Sequence, residues 1–515
     1  MGLATMVLAG TSFALAETSA TPATTVIAQA SPAAAATPTP DPFSYKGYVR
    51  GYYFTRQNAS GYNKTGTVNQ ATFNAAISLH GQYTFENSGF SVGATYLYAN
   101  PLNNCTTAAS HFTPPCGKVK APALNPDDTL PGFQLSTLYE AYLQYQDKTT
   151  YAKVGDQVIT TPWANASDSR LKPVAFQGAD VSYKFTKEWT GELSYYNEFE
   201  DRASSQFFRS TLLTYNPVDA PGQVTLANVS GSNPLSMTTN NGFLYGRIGY
   251  ANSATGLTAN AHYYAFSDIA NLFWLDAKQT FSTNKLKPFV ALQFGDEKNA
   301  GSSLVGQIDS QVFGLQGGVT VTPNVTVTLG WNDIPAKSTT IALPAGISCP
   351  ATHVLPVNKG AANYFLPNGG ADCVPQPSVN GTNFATVYYG GIASPYTDSY
   401  ATDPLFTTSI SQGMADRRNF GEAGKLAVNF VSDNKRFVGV ISRALYAYGN
   451  GTVGVSPTQE TNIDGLYYFS AVPKSGPYHG FLLRHRYAER TINYWQYYGG
   501  TPLFKYNRTQ VEYDF

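Results

Sequence analysis

Four residues close together in the chain, Asp168, Ser169, Arg170 and Lys172, have the side chains needed to act on a charged solute. A guanidinium can hold a carboxylate through two parallel hydrogen bonds, and the nearby ammonium adds a second positive charge. They fall in a loop expected at residues 157–174. From the residue types alone, the favoured interpretation is that Asp168 and Arg170 only pair with each other and hold the loop. The alternative is that the group lines the narrow part of a pore.

Further arginines lie in segments where apolar and polar residues alternate. Successive side chains of a strand point to opposite faces, and an arginine facing lipid costs ~2–4 kcal/mol at mid-bilayer. Phe481 and Leu483 would therefore face lipid, which places Arg484 and Arg486 inside. In 436–448 the same argument takes Val438, Val440 and Ala444 as the lipid face. The predicted basic ladder of the lumen is Arg50, Arg56, Arg247, Arg443, Arg484, Arg486 and Arg508. The alternative for each is a solvated charge that guides no solute.

The elements that must position these residues are strands. About eighteen alternating segments can be counted between residues 43 and 515, with short polar turns and long loops in alternation. The last of them, 505–515, puts Thr509, Val511 and Tyr513 on one face and charged residues on the other. We predict an all-β fold, a transmembrane antiparallel barrel of about 18 strands, because an even closed barrel leaves no unpaired edge in lipid. A barrel of this size leaves an aqueous channel.

Composition agrees with a membrane barrel. Only 13% of the 515 residues are charged and 14% are aromatic, against about 25% charged in ordinary domains. The net charge of zero argues against nucleic acid as a partner. A secreted soluble β protein is an alternative, although it would not need strands with one face turned to lipid and the other to water.

Two segments precede the expected barrel. Residues 1–16 form a short apolar run ending in Ala14-Leu15-Ala16 and predict a signal peptide, although no basic residue precedes the run; a buried helix is the alternative. Residues 17–42, rich in Ala, Thr and Pro, predict a flexible periplasmic tail. The barrel is expected at 43–515.

The cysteines occur as two close pairs in loop-like segments. In an exported protein this pattern favours disulfides, with metal binding as the weaker alternative and the connectivity open. The four residues are Cys105, Cys116, Cys349 and Cys373.

Three segments carry a more specific resemblance. Residues 154–178 include Asp168-Ser169-Arg170-Leu171 before Pro173 and Phe176; residues 397–407 read TDSYATDPLFT; and residues 460–488 contain ETNID and later GFLLRHRYA. In order and spacing they resemble OprD-family outer-membrane porins across most of 43–515. The resemblance implies an eighteen-stranded barrel with long extracellular loops, whose inward third loop constricts the pore. It implies that Asp168, Ser169, Arg170 and Lys172 line this constriction, where Arg170 would attract a carboxylate. It also implies passive uptake of small solutes, mostly carboxylates and amino acids.

The resemblance also implies how the barrel assembles, which acidic residues face the pore and what the protein binds. The terminal Phe515 would be an assembly signal for the barrel-assembly machinery, and Asp398 and Asp403 would supply acidic partners across the pore. Outer-membrane lipid, lipopolysaccharide and a small solute are the expected partners, without a cofactor, in a monomer or trimer. We expect a substrate-selective passive channel of the bacterial outer membrane. The alternatives are a non-selective general porin and, further off, an outer-membrane barrel enzyme, for which no catalytic motif is present.

Overall fold

The structure is a computed structural model that describes sixteen stretches of the chain. They are residues 42–57, 70–102, 134–166, 170–202, 204–209, 211–212, 241–281, 286–304, 308–342, 372–379, 381–397, 402–415, 420–448, 456–473, 478–491 and 503–515. The predicted signal peptide at 1–16 therefore lies outside the described residues, as does nearly all of the predicted tail at 17–42.

Eighteen strands form one antiparallel sheet that closes on itself. Successive strands of the wall pair with each other, one of these pairs is joined by a long connection in the chain, and the last strand pairs with the first. This confirms the predicted barrel, and the strand bounds agree with the alternation to within a few residues. The wall consists of β1 Phe43–Gln57, β2 Gln70–Thr84, β3 Phe90–Pro101, β4 Leu135–Gln146, β5 Thr150–Gln157, β6 Ala175–Lys184, β7 Trp189–Glu200, β8 Phe243–Asn252, β9 Leu257–Phe266, β10 Ala270–Thr280, β11 Lys287–Asn299, β12 Asp309–Thr322, β13 Val325–Ile334, β17 Gly421–Val431, β18 Phe437–Tyr448, β19 Ser456–Tyr468, β20 Gly480–Thr491 and β21 Leu503–Asp514.

Three further strands form a small separate sheet within the long connection between β13 and β17. They are β14 Lys337–Ala342, β15 Asp372–Val379 and β16 Thr382–Tyr389, with β16 in the centre. Pro375 and Pro377 lie on the edge strand β15, where a residue without an N–H is tolerated. The alternation argument did not find these strands because they are short.

The outer wall is apolar, as the alternation predicts. On β20 and β21 the exposed side chains include Phe481, Leu483, Val511 and Tyr513, while the intervening residues point inward and are mostly buried. The same pattern of exposed Phe, Tyr, Leu and Val recurs around the barrel. Such a belt fits acyl chains with aromatic side chains at its two borders. Among the described residues, no helix is long and apolar enough to cross a membrane.

The barrel closes at a tight seam between its first and last strands. The Phe515 N–H donates to the Gly47 carbonyl at 3.0 Å, and the Gly47 N–H donates to the Phe515 carbonyl at 2.9 Å. A Cβ built on Gly47 would lie 2.7 Å from the Phe515 ring and 2.4 Å from the Ser78 carbonyl oxygen. Glycine at position 47 therefore lets the terminal aromatic ring lie flat against the seam.

The connections at one end of the barrel are mostly short and those at the other end mostly long, which places the short turns in the periplasm. In the turn between β4 and β5, Asp147 accepts hydrogen bonds from the backbone N–H groups of Thr149 and Thr150, both at 2.7 Å. These bonds favour the carboxylate and hold the Asp147 pKa well below its usual range. The turn therefore keeps its hydrogen-bonded form throughout the pH range in which the protein would work.

Candidate functional site

The described part of the loop at 157–174 folds into the barrel rather than over its mouth. Ala164 forms a parallel bridge with Tyr396, and the Trp163 N–H donates to the Tyr264 hydroxyl at 3.2 Å. Trp163 is fully buried and meets Trp274 of β10 edge-to-face, with ring centroids 5.3 Å apart. The extracellular half of the lumen beside β6–β13 is thus filled by an aromatic core instead of water.

Lys172 anchors this loop instead of offering its charge to a solute. Its Nζ lies 2.7 Å from Glu200 Oε1, and both side chains are 0% exposed. The Thr137 hydroxyl donates to the same oxygen at 2.8 Å. The prediction that Lys172 lines the pore is therefore wrong, because its partner at the end of β7 already neutralises it. Sequence reasoning missed Glu200, which lies 28 residues away along the chain.

Arg170 lies at the loop's inner end against the first strand. The Arg50 Nη1 donates to the Arg170 carbonyl at 2.6 Å, and the Tyr48 hydroxyl donates to the Leu171 carbonyl at 2.6 Å. The Arg170 guanidinium lies over the Phe54 ring, 5.1 Å from its centroid. Arg50 also pairs with Glu512. Strand β1 therefore holds the backbone of the loop, while the Arg170 side chain forms a separate cation–π contact.

A second segment, described at residues 390–397 and 402–415, also enters the barrel and packs against the first. Asn165 Nδ2 donates to the Thr402 carbonyl at 2.9 Å and so ties the two segments together. Asn332 of β13, itself fully buried, accepts from both the N–H and the hydroxyl of Thr407 at 3.0 Å. A Cβ on Gly330 would lie 3.0 Å from Phe406, so glycine there allows close approach to the wall. The sequence marked this segment by resemblance only, and its inward course was not expected.

The neighbouring strands β18 and β19 hold the tip of the same segment. The Tyr446 hydroxyl donates to the Thr407 carbonyl at 2.6 Å, with the Gln412 carbonyl at 3.1 Å. Glu460 accepts from the Ser411 N–H at 2.9 Å and from its hydroxyl at 2.7 Å. Segment 402–415 is therefore fixed from β13, β18 and β19 at once, which makes it a rigid constriction.

Tyr446→Phe should loosen this constriction while leaving the barrel wall intact. The single proton of the hydroxyl serves the nearer carbonyl, that of Thr407, which would lose its donor at a cost of ~1–3 kcal/mol. We expect a higher or noisier single-channel conductance and a lower unfolding temperature. Tyr513→Phe, on the exposed outer face, is the matched control. Identical current traces and unfolding temperatures for both variants would show that the hydroxyl does not hold the segment.

The inner face of β19–β21 carries the arginines that the sequence placed there. Asp464 accepts from Arg484 Nη2 at 2.6 Å and from Arg486 Nε at 2.6 Å. Arg508 lies directly opposite Arg486 in the strand register and above the Tyr52 ring. Like charges at directly opposed positions repel each other. Asp464 thus forms ion pairs with Arg484 and Arg486, and Arg508 lies beside these two arginines.

Arg508 has hydrogen-bonding capacity to spare. Its Nη2 donates to Gln510 Oε1 at 2.7 Å, whereas Nε and Nη1 have no hydrogen-bond partner among the described residues. The side chain is 1% exposed, so these donors are largely removed from water. An acceptor group that reached them would satisfy a buried cation.

Arg443 does not face the lumen, and the prediction that it does is wrong. On β18 the buried residues are Val440, Ala444 and Tyr446, and the exposed ones include Leu445 and Arg443 itself. The inner face of β18 carries Val440 and Ala444 because it packs against segment 402–415. Aliphatic residues on this strand therefore do not identify its lipid-facing side. Arg443 bonds Gln459 toward the extracellular end, as expected of a long side chain that reaches for the membrane interface.

The remaining predicted residues have varied positions. Arg247 points inward and pairs with Glu192 at 3.0 Å. Asp403 is buried and accepts from the Leu405 N–H at 3.0 Å within its own segment, so its described role is to shape a turn. The predicted residues whose side chains lie outside the described part of the chain are Arg56, Cys105, Cys116, Asp168, Ser169, Cys349, Cys373 and Asp398.

The inner wall also carries acidic groups on β4–β10 that the sequence argument did not single out. Glu140 lies 3.6 Å from the Lys153 ammonium. Asp276 accepts from Asn260 at 2.9 Å and contacts His262 at 2.8 Å, with its side chain 34% exposed. Strand parity would have found these groups, as it would have found Arg490, which shares the face of Arg484 and donates to the Ser411 carbonyl at 2.6 Å.

A closed barrel with an apolar outer wall, a charged inner wall and inward constricting segments defines a membrane channel of the porin class. The model of the family described as outer membrane porin, OprD family, matches residues 42–341. The chain therefore belongs to the OprD family, which confirms the resemblance, and it is a protein of the bacterial outer membrane.

Solved structures show the same fold at low identity. OccAB4 of Acinetobacter baumannii is 13% identical with a TM-score of 0.62, and the match covers 92% of this chain and 98% of that chain. A BenF-like porin from Pseudomonas fluorescens Pf-5 is 12% identical with a TM-score of 0.63 and the same coverage. OpdK of Pseudomonas aeruginosa, in a structure with vanillate, is 12% identical with a TM-score of 0.59 and the same coverage. No curated protein matches the chain.

Proposed function

We propose that this porin is a substrate-selective passive channel for small organic carboxylates. The observation that carries the proposal is Arg508, whose Nε and Nη1 lack partners among the described residues beside the Asp464-paired Arg484 and Arg486. Nε and Nη1 point to different sides of the guanidinium, so a carboxylate oxygen would accept from one of them through a single charge-assisted hydrogen bond. A solute carboxylate that displaced the side chains covering Arg508 would supply one acceptor that this buried cation lacks.

Arg484 lies on the periplasmic side of Arg508, because β20 rises from the periplasmic end and Arg486, two residues further along it, is the register partner of Arg508. Arg484 is the more accessible of the two arginines bound by Asp464, with a side chain 20% exposed against 5% for Arg486. Fixed charges lining a narrow pore select ions by sign. We infer that Arg508 and Arg170 act in the narrow part and that Arg484 attracts the anion onward toward the periplasm.

Amino acids are the second solute class of the proposal. The partly exposed Asp276 lies on β10, away from the arginines of β1, β20 and β21. A zwitterion could present its ammonium group to such a carboxylate and its own carboxylate to the arginines. Vanillate, named with OpdK, is itself a small carboxylate.

Arg170→Ala should reduce carboxylate uptake several-fold without unfolding the barrel. Arg50 holds the Arg170 carbonyl rather than its side chain, so the loop keeps this anchor in the variant. Arg170→Lys retains the charge but loses the fork geometry, and we expect intermediate uptake. Liposome swelling in small carboxylates, amino acids and neutral sugars measures the effect.

The same panel separates the alternatives. A non-selective porin would admit sugars, amino acids and carboxylates according to size alone, with no response to Arg170→Ala. A barrel enzyme would turn over a substrate in detergent and lose that turnover on one substitution. Either result would contradict the proposal that the channel selects carboxylates.

A further inference from the structure

An apolar groove crosses the outer wall of the barrel from β7 to β13. It encloses a cavity of about 660 Å³. Asp276, the carboxylate beside it, points to the lumen and contacts His262 there. The outward side chains that line the groove are Trp189, Ile248, Tyr250, Ala259, Ala261, Leu275, Ala277, Leu292, Phe294, Phe313, Leu315 and Trp331.

Small residues make the floor of the groove. Ala259 lies opposite Ala277, and Ala261 lies opposite Leu275, on the paired strands β9 and β10. These four residues are only partly exposed, whereas Ile248 and Leu292 beside them are 48% and 54% exposed and form the rims. The depression is therefore set by side-chain size on a continuous sheet.

The groove rises obliquely through the membrane belt. One row of register partners runs from Trp189 through Tyr250 and Ala277 to Leu315 and Trp331. Trp189 starts β7 at the periplasmic end, and Trp331 is close to the extracellular end of β13. Six strand spacings of ~4.8 Å give a path of roughly 29 Å along the sheet. One leaflet supplies about half of the ~30 Å hydrocarbon layer, so an acyl chain from one leaflet would fill roughly half of this path.

Polar residues mark the upper end of the groove. Lys298 follows Phe294 on the outward face of β11 and pairs with Asp309 of β12. Aromatic side chains at both ends and an ion pair above them are what the two membrane interfaces favour. The groove thus begins at headgroup level and continues through an uncharged belt.

We propose that this groove binds an acyl chain of one membrane lipid as a specific site. A chain lying between the rims would contact the sheet on three sides, whereas lipid elsewhere meets a convex wall. The site is separate from the channel, because its lining residues are on the lipid side of β7–β13. It therefore goes beyond the proposed transport function and does not rest on solute choice.

Native mass spectrometry of detergent-solubilised protein titrated with dimyristoyl phosphatidylcholine tests the site. Ala261→Trp fills the floor, and we expect it to lower the fraction of protein that retains one lipid by about tenfold, because several methylene contacts are lost. Ala94→Trp, on the outer face of β3, is the matched control and should retain lipid. Ala277→Leu is a milder second variant in case Ala261→Trp does not fold.

Two results would overturn the proposal. Equal lipid retention by the unsubstituted protein, Ala261→Trp and Ala94→Trp would show only non-specific lipid contact. Dimer or trimer peaks that disappear in Ala261→Trp, with lipid retention unchanged, would show that a second copy of the chain occupies the groove. Selective loss of the bound lipid in both Ala261→Trp and Ala277→Leu would support it.

Discussion

Lys172→Met is expected to be the most damaging single substitution in the constriction. It leaves the Glu200 carboxylate fully buried with the Thr137 hydroxyl at one oxygen. Breaking a buried ion pair by removing one partner costs ~3–5 kcal/mol. We expect a markedly lower unfolding temperature, measured by heat-modified migration, and an enlarged, unstable conductance as the loop leaves the wall.

The double variant Lys172→Met with Glu200→Gln is the control for this prediction. It removes both charges, and the amide can still accept from Thr137. Most of the lost stability should return, since the cost arises from the uncompensated carboxylate. If the single and double variants were equally unstable, or if the single variant behaved as the unsubstituted protein, the anchoring role of the pair would be refuted.

Arg508→Met is expected to have the largest effect on selectivity. It removes the guanidinium whose Nε and Nη1 lack partners among the described residues, and it keeps an apolar chain over Tyr52. It also relieves repulsion with Arg486, so the wall should stay folded. We expect carboxylate uptake to fall roughly tenfold, equivalent to one lost charge-assisted hydrogen bond at ~1.5 kcal/mol. Liposome swelling gives the rate.

Arg443→Met provides a matched change of charge on the other side of the same wall. Arg443 is exposed on the outer face of β18, so its loss should leave uptake and conductance unaltered. An equal fall in uptake for both variants would mean that total charge, rather than the inner wall, controls entry. No fall in Arg508→Met would remove Arg508 from the solute path.

The barrel could be predicted from sequence because the lipid imposes a strict period of two. Residues such as Val511 and Tyr513 must alternate with Arg508 and Gln510 wherever one face meets acyl chains and the other meets water. Strand bounds and the inward direction of Arg484, Arg486 and Arg508 follow from that rule alone. The rule fails for Arg443, because the inner face of β18 also carries aliphatic residues, Val440 and Ala444, which pack against segment 402–415.

The interior could be predicted only in part. Contacts between Lys172 and Glu200, or between Asn332 and Thr407, join residues far apart in the chain and leave no local pattern. Segment 402–415 enters the barrel because Gly330, Asn332 and Tyr446 together contact it, and no single one of these residues predicts that contact from sequence. Resemblance could mark the segment but not its course.

The zero-current potential across a planar bilayer holding the unsubstituted protein, under a gradient of sodium acetate, tests the central claim most directly. An arginine-lined constriction should pass acetate more readily than sodium, so the sign of the potential should be that of an anion-preferring channel. A potential of the opposite sign, or a bilayer that conducts no ions, would contradict a carboxylate-selective pore.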